Sequence, residues 1–586
     1  MVRPCTKSGT EAPLQRDAAT PDMLSPVACG RIASLSLIVA LVLLGLPSAL
    51  LLTTVLLFAL GRPISQLNLP LAAMLALAFA WLAARKYAPQ RPLLTFLLVS
   101  GFVLTIFCGG LLLCGRFYDV SSDGQTYQQE AIIQLAKGWN PLRSAPLASV
   151  HNIWINHYPK APWIYAAALY ELTDNIEQGK VFNGLLIGLA FFCCLAALLT
   201  LQPDKLGRAV LLSLLLALNP VAVSQALSFY VDGQLASLLL ATMALAYLAY
   251  VRRDRFLAAS LLLPLILLVN TKFTAIAYLG VMTAGVLLWL LLSGSRKLAH
   301  ATLAISVTGM LLGLVLVGFN PYVTNALRKG HPFYPLAGRG AVDIHDPKAE
   351  RAMGLPPGFR EQNRFENLFS SLFSRSENPG DRRARYKVPF SIAEEEVIWF
   401  QDKPDLRIGG FGPLFSGALI LAVILLAASA LGLRRGKDAL TAGVFTVVAI
   451  LVASALVNPE CWWARYAPQI WLIPLLLTLP ALYVAGNKFL RALSWAVVLV
   501  VVINVGLIAQ SYLAGQYRIS GVLKQQLAEI AQSRRPIQVL FNGFNSNRLR
   551  FEKRGIPYTE ITAVPPGAKG YSYIGTRAVF FYQAKD

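Results

Sequence analysis

The chain has 586 residues, of which 56% are hydrophobic and 14% charged, with a mean hydropathy of +0.55. A soluble fold cannot hide that much apolar side chain, so composition excludes one and leaves an all-α polytopic membrane protein. The net charge of +22, which in a soluble chain would point to nucleic acid, is accounted for largely by short basic loops between spans, so no nucleic-acid partner is called for.

In chain order, residues 1–32 are polar and do not run from a basic stretch into a short apolar core. They read as a cytoplasmic segment, and 33–60 as a membrane anchor, not a cleaved signal. Apolar runs follow at 68–84, 93–114, 181–200, 209–227, 233–250, 255–270, 273–292, 300–319, 411–432, 440–457, 468–486 and 493–511, which with the first makes thirteen spans. Each approaches the ~20 residues that a bilayer needs. The basic residues sit in alternate loops: Arg85, Lys86 and Arg91; Lys205 and Arg208; Arg252, Arg253 and Arg255; Arg296 and Lys297; Arg434, Arg435 and Lys437; Lys488 and Arg491. All six groups face the cytoplasm if the N-terminus does. A transmembrane domain then spans 33–511, with large outer loops at 115–180 and 320–410, and a small domain at 512–586 is also outside.

The seven cysteines lie mostly in or at spans and form no disulfide framework. Cys114 and Cys461 both come out near the outer surface, and a bridge between them is the minor reading. No internal repeat or low-complexity tract is visible.

The first outer loop carries a pair of carboxylates, Asp119 and Asp123, just beyond the span 93–114, and a cation, Lys160, in His157-Tyr158-Pro159-Lys160-Ala161-Pro162-Trp163. Acid and cation beside a bilayer suit transfer from a lipid-linked phosphate donor. Tyr127, Ala131, Ile132, Leu135, Ala136 and Trp139 recur on one helical face, expected to lie in the interface with that face toward lipid. Asn140-Pro141 ends this helix, and a second is expected over 162–174. Asp123 precedes the first helix, so the plain alternative to a catalytic role is an N-cap.

The second outer loop, with Arg339, Asp343, His345, Asp346 and Asp381-Arg382-Arg383-Ala384-Arg385, reads as an acceptor-binding flap. Three potential ligands within 343–346 lack a metal-site spacing and fit an ordinary polar loop. The tail is expected to hold a strand at 537–541, a helix at 546–554 and a strand at 578–582. It carries eleven Lys or Arg against four Asp or Glu. Such a surface suits acidic glycans or lipid headgroups, or simply caps the outer face.

Taken in order, Asp123-Gly124-Gln125-Thr126-Tyr127, Trp139-Asn140-Pro141, Tyr158-Pro159-Lys160-Ala161-Pro162-Trp163, Phe229-Tyr230-Val231-Asp232, Asn320-Pro321-Tyr322, Gly330-His331-Pro332-Phe333-Tyr334-Pro335 and Trp463-Ala464-Arg465-Tyr466-Ala467-Pro468 resemble the motifs of the GT-C membrane glycosyltransferases. The branch is that of protein mannosyltransferases and lipid A aminoarabinose transferases, and the resemblance covers about residues 90–480. It departs at Gly124 and Pro159, where the family pattern has Glu. Fewer acids leave less to hold a metal, so the resemblance implies a metal-independent reaction with no cofactor. It also implies a multi-pass protein of a bacterial-type inner (plasma) membrane, with its site on the extracytoplasmic face.

What it implies chemically is transfer of a sugar from a polyprenyl-phosphate donor to a hydroxyl of a glycan, lipid or protein, with inversion. Asp123 would be the general base. Asp232, otherwise a solvated helix end, would orient the base or the acceptor. Asp119 keeps a retaining double displacement open. Lys160, Lys272 and Arg465 would bind the donor phosphate; the plain alternatives are snorkelling for Lys272 and an interfacial anchor for Arg465. His157 and Tyr127 are assigned to the acceptor side. A polyprenyl-linked glycan polymerase or ligase would share the spans and the large loops without needing the Asp123–Lys160 pair. A transporter would be expected to place charges at mid-membrane depth, where these spans hold almost none.

Overall fold

The computed structural model describes residues 26–148, 152–342, 355–378, 383–433, 439–484, 487–533, 535–567 and 569–582. The possible ligands at 343–346, Asp381 and Arg382, the basic loop 434–437 and most of segment 1–32 lie outside these residues.

The chain is an integral membrane protein. Among the described residues, nine helices are long and apolar enough to cross a membrane, and four shorter apolar helices, Leu206–Ala217, Arg255–Thr271, Phe415–Leu431 and Pro468–Tyr483, accompany them. Together they fall on the thirteen expected segments. The first span departs from its expected character. In its apolar window, 83% of Gly30–Ala59 is buried inside the protein, against 11% for Pro92–Cys114. It packs against the helices Asn68–Tyr87 and Val181–Leu201, so it is a central member of the bundle and not a simple anchor.

Two other expected spans differ. Leu206–Ala217 stops where 209–227 was expected to continue, because Asn219 accepts Val221 N–H and Pro220 opens a new short turn, Pro220–Ser224. The loop after this turn delivers Asp232 to the first position of the helix Asp232–Arg252. The expected 493–511 is instead one helix, Lys488–Ser533, of 46 residues. At ~1.5 Å per residue it is roughly 70 Å long and must leave a ~30 Å hydrocarbon layer by several turns.

The bundle has two distinct ends. At one, Asp254 takes Lys86 at 2.9 Å and Tyr87 at 2.8 Å, Arg252 donates to Thr200 at 2.8 Å, and Arg208 donates to the Leu482 carbonyl. Four basic loops are thereby gathered together. The opposite end carries the two large loops. There the loop helix Gln129–Ala136 packs on Ala161–Thr173. Ala131, Ile132 and Leu135 are buried, and so are Gln129 and Glu130 on the other side. The helix is therefore enclosed by protein and does not lie with its apolar face in lipid. Cys114 and Cys461 are both free thiols, so the bridge considered between them is not formed.

The chain end forms a four-stranded sheet: β1 (Ile537–Leu540), β2 (Tyr558–Glu560), β3 (Tyr571–Ser572) and β4 (Val579–Tyr582), in the order β2-β1-β4-β3. Only β1 and β2 run parallel, joined through the helix Arg548–Glu552. Ile537, Val539, Phe551 and Phe580 close over Leu523, Leu527 and Ile530 of the long helix, which ties this unit to the bundle.

Candidate active site

The site is built around a buried guanidinium. Arg465 sits in a short turn, Ala464–Tyr466, between two apolar helices and is 5% exposed. Its Nη1 donates to Asp232 Oδ2 at 3.1 Å and lies 3.8 Å from Asp123 Oδ2. Its Nε is 2.7 Å from Asp405 Oδ1, an ion pair whose N–H is not aligned on the oxygen. The rings of Tyr230, Trp463 and Tyr466 stand 4.8–5.0 Å from the guanidinium carbon. Burial opposes the charge, but Tyr466 and the three carboxylates more than restore it, so Arg465 stays cationic.

Asp232 is 1% exposed. It is ion-paired to Lys272 as well as Arg465, and Gln225 Nε2 donates to it at 3.2 Å. A helix N-terminus favours the carboxylate there. This is a buried polar hub, not a solvated helix end. Lys272 points inward to Asp232, with its ammonium 4.2 Å from the Tyr466 ring centre, and does not snorkel.

Asp123 has no side-chain capping bond to the helical segment that follows it, which removes the N-cap alternative. The Tyr127 hydroxyl approaches its Oδ2 at 3.4 Å. Burial pushes the Asp123 carboxyl above the ordinary carboxylate range; Arg465 opposes this, and Asp405 and Asp232 add to it. Burial likewise raises the Tyr127 phenol.

Asp119 is placed elsewhere. Its two oxygens accept main-chain N–H groups from Ser121 and Phe229, each at 2.8 Å. Its own N–H donates to Glu177, which is paired to Lys180 at 2.6 Å. Asp119 is a pin for the loop. It also bars a side chain at Gly124, since a Cβ there would lie 2.1 Å from Asp119 Oδ2.

Lys160 does not join the Arg465 cluster. The residue is 4% exposed, and its ammonium donates to the carbonyls of Tyr158 at 2.9 Å and Asn156 at 3.3 Å and lies near the faces of Trp139 and Trp163. No carboxylate is paired with it among the described residues. Burial lowers its pKa to about 7. It borders a cavity of about 20 Å³ with Phe58, Pro141, Asn270 and Asn320, room for a single water. His157 ties the two outer loops together: Nδ1 is 2.6 Å from Asn325 Oδ1, and Asn325 Nδ2 donates to the His157 carbonyl at 3.1 Å. Burial lowers its imidazole pKa.

Sequence reasoning missed Asp405 and Arg407. Asp405 accepts Arg407 at 3.0 Å and the Trp463 indole at 3.1 Å, and it completes the ring of three acids around Arg465. The signal that marked Asp123, an acid just outside an apolar run, also marks Asp405 before residues 411–432. Gln225 had no such signal. It links Asp232, the Gly233 N–H and the Pro404 carbonyl only in the folded chain.

No protein-family model matches the chain, and no curated protein matches it. Among solved structures it is similar to the crystal structure of ArnT from Cupriavidus metallidurans bound to undecaprenyl phosphate, at 12% sequence identity and a TM-score of 0.41. It is also similar to that protein in the apo state, at 13% and 0.45. Both matches cover 82% of this chain and 98% of that one.

Proposed function

We propose that this protein is a membrane glycosyltransferase that moves a sugar from a polyprenyl-phosphate donor to a hydroxyl acceptor on the extracytoplasmic face, without a metal. The observation that carries this reading is a half-buried carboxylate, Asp123, set 3.8 Å from a buried guanidinium, Arg465, at the end of the bundle away from the gathered basic loops. Base and phosphate-binding cation are then within one reacting distance.

The acceptor oxygen attacks the anomeric carbon as the bond from that carbon to the phosphate oxygen breaks. The acceptor proton passes to Asp123. The donor diester carries one negative charge and the departing polyprenyl phosphate carries two, so cations at the leaving oxygen gain most in the transition state. Arg465 and Lys272 would supply them, exchanging part of their hold on Asp405 and Asp232 for phosphate oxygens. A single displacement with Asp123 as base inverts the anomeric centre. Lys160, a buried ammonium with neutral partners, would take a second contact to the lipid phosphate. His157 would hold the outer loops in place beside the acceptor.

The N-terminus is placed in the cytoplasm and the chain end outside. This placement rests on the positive-inside rule and on four basic loops sharing one end of the bundle. The test is purified protein incubated with a panel of polyprenyl-phosphate sugars, scored by release of polyprenyl phosphate. At least one donor should turn over. No release above an Asp123→Asn background for any of them would sink the reading.

A further inference from the structure

The segment that carries Asp123 is gripped from the far end of the chain. Arg550, 7% exposed, donates to the Asp119 carbonyl at 2.6 Å and to Asn547 Oδ1 at 2.7 Å, with Tyr118 5.1 Å from its guanidinium. Asn547 Nδ2 donates to Gln125 Oε1 at 3.0 Å, and Ser546 Oγ to the Gln125 carbonyl at 3.0 Å. Gln125, fully buried, donates Nε2 to the Gly575 carbonyl at 2.6 Å. Gly575 has φ +73°, and a Cβ there would stand 2.6 Å from the Val120 side chain. These contacts bracket Asp123 on both sides, at residues 118–120 and at 125, while its own carboxylate faces Arg465.

We infer that Arg550 and Asn547 are positioning residues for the reaction: they hold the turn from Asp119 to Gln125 and so set where Asp123 presents its carboxylate. The inference rests on the reading of Asp123 as the base. Its physical ground is the steepness of catalysis with geometry. A displacement of about 1 Å of a reacting group costs on the order of 10²-fold in rate, while substrate held by other groups still binds. The donor phosphate is assigned to Arg465, Lys272 and Lys160, none of which touches this clamp. Loosening it should therefore move kcat and leave donor affinity alone. A residue that merely supported the fold would lower the amount of folded enzyme without splitting the two.

The full chain is compared with Arg550→Met, Arg550→Lys and Asn547→Ala, with Lys569→Met as an exposed control on the same unit. Two readouts are taken: kcat and KM for the donor, and deuterium exchange of amides in 119–128. Arg550→Met should lower kcat at least tenfold with donor KM within about twofold, and should raise exchange across 119–128. Arg550→Lys should recover part of both, since a single ammonium replaces only one arm of the fork. Lys569→Met should change neither. Unchanged kcat or unchanged exchange in Arg550→Met overturns the inference. So does a rate loss that only tracks the folded fraction. If the wild-type chain transfers no sugar from any donor, the glycosyl-transfer reading fails, and the exchange arm alone then decides whether this clamp holds the loop.

Discussion

Asp123 Oδ2 lies 3.8 Å from Arg465 Nη1, near enough to feel the charge and too far for a hydrogen bond that would tie up the oxygen. Asp232, at 3.1 Å from the same nitrogen, takes that bond instead. The Tyr127 hydroxyl also approaches this oxygen, at 3.4 Å, so the carboxylate of Asp123 sits beside a cation and a phenol and keeps lone pairs that can accept a proton. Asp123→Asn should therefore cost roughly 10²–10⁴-fold in transfer rate. Binding of polyprenyl phosphate should stay within about twofold, because shape is kept and only a proton acceptor is lost. A variant retaining more than about a tenth of the rate would leave Asp123 as a structural residue.

The pH dependence follows from the same burial. Asp123 is pushed above the ordinary carboxylate range, and only its ionised form is a base. The rate should fall as pH drops through this raised value, giving an acidic limb in kcat/KM above the ~3.9 of an unperturbed Asp. A limb at or below that value in the purified enzyme would contradict the assignment.

Arg465→Ala should weaken polyprenyl phosphate binding at least tenfold. Loss of one buried charged partner costs on the order of 2–5 kcal/mol, and ~1.4 kcal/mol is one decade. Arg465→Lys should recover only part of this, because a single ammonium cannot span Asp232 and Asp405 as the fork does. Titration with a non-hydrolysable donor analogue measures both, and equal affinities in wild type and Arg465→Ala would remove the phosphate role.

Lys160 gives a second pH effect of opposite sign. Burial lowers its pKa to about 7 in the unliganded protein, and a bound phosphate would favour its charged form. Donor affinity should thus fall as pH rises above about 7. Lys160→Met should bind more weakly at pH 6 and lose this dependence. An identical pH profile in the variant would assign Lys160 to packing between Trp139 and Trp163 alone.

Orientation is tested by a membrane-impermeant thiol reagent on intact cells. Lys569→Cys should label directly, and Gln90→Cys only after permeabilisation. The reverse pattern would invert the bundle and carry the site to the cytoplasm.

By itself the sequence determined the membrane class, the positions of the apolar helices and two of the tail's four strands, because hydropathy and short-range pattern are local properties. It also exposed Asp123, Asp232, Lys272 and Arg465 as charges at the ends of apolar runs, where burial demands a partner. It did not reveal which partner each would find. Only the tertiary structure closed Asp232 onto Arg465, 233 residues away, added Asp405 from the second outer loop, turned Asp119 into a backbone pin and set Lys160 apart among carbonyls and indoles. Charge at a helix end is written in the chain, but the low-dielectric contacts that give each charge its role exist only once distant loops have been brought to the same end of the bundle.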